Sequence, residues 1–216
     1  MIPSLNYRVS KRMHSVNMKS KVLYIQLLGD ALIPLFGFFV WNWSLYFILL
    51  FYILDLFLNE LLAHLKARKV YIRNGSGLKK SWFGYGMFSF SLFVAVVFLI
   101  HVAVYFLHRE INFSSEAQTF WNYEELGIKQ GYVLLPLLAF VAFQRYKMEF
   151  LYTGLFQRVK MRELWLKHLQ QFPVLFAACG LAIGVNYFIQ VADMVYLVAI
   201  VILNGLYRYF VSRRPV

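Results

Sequence analysis

The chain has little cysteine, little acid and little charge overall. Cys179 is its single cysteine, which excludes an intramolecular disulfide framework and a Cys-x-x-Cys metal site. That residue lies in the apolar stretch LFAACGLAIG and reads as a small packing side chain. Only 15% of the residues are charged, against about 25% in soluble globular domains. Ten acids stand against 22 Lys and Arg, for a net charge of +12. Several motifs are also missing: no Walker loop, GxGxxG, HExxH or Ser-His-Asp order occurs, so soluble-type catalysis is not expected and no catalytic residue is assigned. No signal peptide with a small-residue cleavage site is expected either.

What is present instead is hydrocarbon. The chain is 61% hydrophobic and 19% aromatic, with a mean hydropathy of +0.58. Apolar runs close to the roughly 20 residues needed to cross ~30 Å of hydrocarbon recur along it. They predict an all-α polytopic integral membrane protein, a six-helix transmembrane bundle with spans at about 22–41, 44–65, 82–107, 131–151, 172–190 and 194–211. A basic arm precedes them (1–21), the tail is 212–216, and residues 66–81 read as a basic loop. Between spans four and five, RVKMRELWLKHLQQ (158–171) sets Met161, Leu164, Trp165 and Leu169 near one helical face, the pattern of an interfacial amphipathic helix. With six spans, twenty of the 22 basic residues fall on one side. The positive-inside rule then puts both termini in the cytoplasm, in the cell (inner) membrane, facing anionic headgroups. This clustering beside apolar spans explains the high pI without nucleic acid.

Polar groups inside the spans are the candidate functional residues. Asp30 and Asp55 lie about twelve residues before and after the Asn42-Trp43 turn, hence at similar depth near the bilayer midplane. A charged carboxylate there costs at least ~2.5–3.5 kcal/mol, so it must face protein or water, bind a cation or be protonated. Asp55 and Asn59 are spaced i,i+4, as are Glu60 and His64, on stripes about 140° apart. The first pair, with Asp30, forms a candidate ion-binding or transport site. The second is a pH-sensitive or interfacial pair nearer the cytoplasmic surface. Glu60 and His64 alone are too few for a metal, and His101 and His108 belong to the other end, so no metal or cofactor is expected. Gly180 and Gly184, with Ala177, Ala178 and Ala182, make a small face for helix packing.

The first hairpin carries Pro34, Trp43, Tyr52, Asp55 and Asn59. In this it resembles an uncharacterised family of bacterial multi-span membrane proteins, which pair a Pro-containing first span with a tryptophan turn and a Tyr-x-x-acid-x-x-x-Asn second span. The residues around Tyr52 depart from that pattern, where such proteins have a tryptophan and a Glu-Asn pair. The resemblance implies a bacterial membrane location and no activity.

Three functions are compatible with this reading. Asp30, Asp55 and Asn59 would move a proton, cation or small polar solute; or the chain is a non-catalytic accessory subunit or homo-oligomeric effector assembling with other membrane proteins. A lipid-modifying intramembrane enzyme would instead draw on Glu60, His64 and Arg145. Three-span halves share only Pro34 and Pro136, so no inverted repeat speaks for transport.

Overall fold

A computed structural model describes residues 28, 31–74, 79–125 and 128–213. Asp30 lies outside them. The described chain is helical apart from a two-residue ladder in which Glu124–Glu125 (β1) pairs antiparallel with Ile128–Lys129 (β2). Its helices are α1 (Ala31–Val40), α2 (Leu45–Asn74), α3 (Lys79–Leu107), α4 (Phe113–Asn122), α5 (Gln130–Tyr146), α6 (Met161–Leu169), α7 (Gln171–Phe188) and α8 (Asp193–Arg213). Three stretches are long and apolar enough to cross a membrane: Leu45–Arg73, Trp82–Leu107 and Met161–Phe188. The described parts of α1 and α8 are shorter apolar helices, so six spans are expected and three qualify by length.

The chain divides into two compact units. The smaller holds α1, the following turn and α8. In that turn Asn42 takes φ 53°, a left-handed conformation asparagine tolerates. The N–H of Trp43 donates back to the Gly37 carbonyl at 3.0 Å, and the Trp43 indole lies directly on Gly37, where a side chain would collide with it.

The larger unit, Ser44–Ala192, contains the three long helices. No proline interrupts the sequence between Pro34 and Pro136, so α2 and α3 run unbroken. The Ser44 hydroxyl caps α2 by accepting the Phe47 N–H at 3.1 Å. This helix extends well past the expected end of the second span at residue 65, into the segment expected to be a basic loop. The reason is packing: Ala63, Ala67 and Val70 recur at helical spacing and are buried. They meet Ala142 and Tyr146 of α5, Phe150, and Met161, Leu164 and Trp165 of α6 in one core. Tyr71 also stacks on Trp82 of α3, with centroids 5.6 Å apart.

The expected fourth span is α5 followed by a π-turn at Lys147–Leu151. Helix α6 forms where the amphipathic helix is expected, but Met161, Leu164 and Trp165 lie buried in this core rather than free to enter a membrane surface. Helix α7 follows almost directly, because Gln170 keeps helical dihedrals. Pro173 supplies no N–H to the carbonyl of Leu169, which breaks the ladder between the two helices. Helix α7 packs along α3 through Phe172 against Phe93 and Val96.

Helix α4 folds back over the start of α2. The side-chain Oδ1 of Asn112 caps it by accepting from the N–H groups of Ser114 and Ser115, both at 3.1 Å. Phe120 packs on Phe47 at 4.7 Å, and Phe113 packs on Tyr46 at 5.2 Å.

Candidate functional site

Two polar stripes on α2 meet different fates. On the first, Asn59 Nδ2 donates to Asp55 Oδ2 at 3.1 Å, so the i,i+4 pair forms along its own helix. Its intended partner Asp30 lies outside the described residues. The second stripe gathers a centre from two other helices.

Glu60 is buried, with 3% of its surface exposed. Its Oε2 accepts a hydrogen bond from Ser89 Oγ on α3 at 2.8 Å and lies 2.6 Å from Nε2 of His168 on α6. Its Oε1 lies 3.2 Å from Nε2 of His64, close enough for an ion pair. The alignment is too poor for a hydrogen bond, leaving Oε1 a buried acceptor without one. A carboxylate so far from water is tolerated because two imidazoles and a hydroxyl surround it.

Local structure explains each position. Gly86, one turn before Ser89 on α3, lets the His64 ring approach: an alanine Cβ would stand 2.7 Å from its Cε1. The Trp165 indole meets His64 edge-on at 5.2 Å and flanks His168 at 6.0 Å. Phe172 closes the other side of His168 at 5.8 Å. Exposure is graded across the centre: the side chain of His64 is 34% exposed, His168 12% and Glu60 4%. Such a row of titratable groups can pass a proton from a partly open imidazole, through a buried carboxylate, to a second imidazole.

His168 and Ser89 were not expected from sequence. His168 does carry a signal, since it stands three and four residues after Trp165 and Leu164 and so extends the buried stripe of α6. Ser89 carries none that distinguishes it from Ser91.

A second polar contact closes the opposite end of α2. His101 Nδ1 donates to the Val97 carbonyl at 2.8 Å, which leaves Nε2 to accept from the Tyr46 hydroxyl at 2.9 Å. Ser44 Oγ donates to Glu116 Oε2 at 2.9 Å nearby. These bonds tie α4 and α3 to the start of α2 and read as structural. At Gly180 and Gly184 a Cβ would meet nothing within 4 Å among the described residues. Among those residues, no three His, Cys, Asp or Glu side chains are arranged to hold a metal ion.

No protein-family model matches the chain, and neither the curated proteins nor the solved structures contain a match.

Proposed function

We propose that this chain is an integral membrane protein that moves protons through the Glu60 centre, with His64 as the entry group, Glu60 as the buried relay and His168 as the inner acceptor. The observation that carries this reading is the buried Glu60 carboxylate, held between two histidines on different helices with one oxygen not hydrogen-bonded. A proton taken up by the more exposed His64 passes to Oε1 of Glu60, rotation of the protonated carboxyl turns that O–H toward His168, and the His168 Nε2 lone pair accepts it, which returns Glu60 to the carboxylate. Intramembrane ionisable residues of this kind mark proton and ion pathways. Asp55 and Asn59, about a turn further along α2, form a second polar station, and Asp30 belongs to the same proposal. The finer topology is part of it: six spans in a bacterial inner membrane, with the basic segments and both terminal segments facing the cytoplasm, as the partition of Lys and Arg supports.

The test is proton flux into liposomes containing the purified protein, driven by a potassium-diffusion potential. Glu60→Gln and His168→Gln are expected to lower the flux at least tenfold while the proteins stay folded. A folded wild type with no flux above empty liposomes overturns the reading.

A second reading is favoured by the placement of Lys66 and Lys167 along the same α2–α6 seam. Glu60 and His168 would then act as an acid–base pair on a lipid whose headgroup is held by basic residues. Turnover of a phospholipid, lost in Glu60→Gln but without proton flux in the wild type, would select this alternative.

A further inference from the structure

The basic end of the larger unit contains a charge imbalance that proton transfer through the Glu60 centre does not use. Lys66 on α2 and Lys167 on α6 are both partly buried, and Arg145 closes the last turn of α5. The charges acting on Lys66 are Glu149, Arg145 and Lys167, and Glu149 acts on Lys167 as well. Arg145 and Lys167 thus both lie within electrostatic reach of Lys66, and Glu149 is the acid that acts on both lysines. None of the four groups makes a direct ion pair within 4.0 Å among the described residues. Nε of Arg145 is buried and has no hydrogen-bond partner among the described residues. The ammonium of Lys66 is held over the Phe150 ring at 5.9 Å, so it cannot simply swing away into water without losing that contact.

We propose that Lys66, Arg145 and Lys167 form a binding site for a phosphate group. In this half-buried place Arg145 and Lys167 both repel Lys66 unless an anion joins them. A guanidinium supplies a planar fork that matches phosphate, while the two ammonium groups add point charge. Depth selects the same chemistry. Lys66 stands 21 residues beyond Leu45, about 31 Å along the helix at 1.5 Å per residue, which is one hydrocarbon thickness. The site therefore lies at headgroup level, with the exposed apolar side chains of Phe143, Met148 and Leu166 beside it. A phospholipid phosphate and a soluble phosphoester share this chemistry. The proposal is independent of whether Glu60 moves protons or does chemistry.

The test uses the full chain in a mild non-ionic detergent, with phosphatidic acid and inorganic phosphate as separate probes and oleate as an anionic lipid without phosphate. Binding is read by native mass spectrometry and by the rise in melting temperature. Phosphatidic acid is expected to bind at least tenfold more tightly than oleate. Arg145→Gln and Lys167→Gln should each lose tenfold or more. Arg145→Lys should lose a few-fold, because charge is kept and the fork is not. Lys147→Gln, whose ammonium lies over Phe143 instead, should bind as wild type. Should Arg145→Gln fail to fold, Lys167→Gln carries the comparison. Binding of inorganic phosphate alone supports the site and assigns a soluble source; binding of phosphatidic acid alone assigns a lipid. The proposal is overturned if neither phosphate probe binds, if oleate binds as well as phosphatidic acid, or if Lys147→Gln loses as much as Lys167→Gln.

Discussion

Ser89 and Ser91 stand two residues apart on α3, and removing the hydroxyl of each should have very different consequences. Ser89 is fully buried and donates to Glu60 Oε2 at 2.8 Å. Ser91 is exposed and bonds to the carbonyl of Met87 in its own helix, at 3.0 Å. A hydrogen bond to a charged acceptor contributes about 1.5–3 kcal/mol in water-soluble proteins. Interhelical hydrogen bonds in membranes average about 0.6 and reach about 1.7 kcal/mol. The Ser89 bond belongs near the top of the membrane range, since its acceptor is a carboxylate and no water can replace the lost donor. Ser89→Ala should therefore cost about 1–2 kcal/mol. For a chain of this size that corresponds to a fall in melting temperature of about 2–8 °C. Ser91→Ala should stay within about 0.5 kcal/mol of wild type. The assay is thermal unfolding in detergent followed by circular dichroism, repeated in a Glu60→Gln background. There the acceptor is neutral and the cost of Ser89→Ala should drop to about half, because charge-assisted bonds are roughly twice as strong. Equal losses for the two serines would refute the reasoning, as would a Ser89→Ala cost that Glu60→Gln leaves unchanged.

Other substitutions probe the packing around the centre. Gly84→Ala and Gly86→Ala should differ in sign: at Gly84 a Cβ meets nothing within 4 Å, and alanine stabilises a helix by about 1 kcal/mol over glycine. At Gly86 the new Cβ meets His64 and should cost about 1–3 kcal/mol as overpacking; the melting temperatures of the two variants decide it. Trp165→Ala empties the fully buried seam between α2 and α6 and should cost about 3–5 kcal/mol, measured the same way. Asn112→Ala removes the cap of α4 and should cost about 0.5–2 kcal/mol. Its effect should appear first as faster amide exchange in the first turn of α4, with α6 and α7 unchanged.

The helical, apolar character of the chain was legible because it depends on runs of neighbouring residues. Where the reading departed from the structure, charge was the cause. Lys66, Arg68 and Lys69 look like an exit from the bilayer, and they suggested that the second span had ended. The helix instead continues to Asn74, because Ala67 and Val70 extend the buried stripe begun by Ala63 while Arg68 and Lys69 stay exposed.

The candidate site shows where local spacing stops being informative. Glu60 and His64 are four residues apart, so their pairing follows from helix geometry alone. Ser89 and His168 are 29 and 108 residues from Glu60, and only the packing of α3 and α6 on α2 brings them there. The two stripes of α2 then separate by what their neighbours offer. Asp55 accepts from Asn59 on its own helix, a contact that helix geometry alone allows. Glu60 draws a hydroxyl from α3 and an imidazole from α6. Burying that carboxylate is tolerable only once both helices have docked, which couples the charge state of the centre to the assembly of α2, α3 and α6.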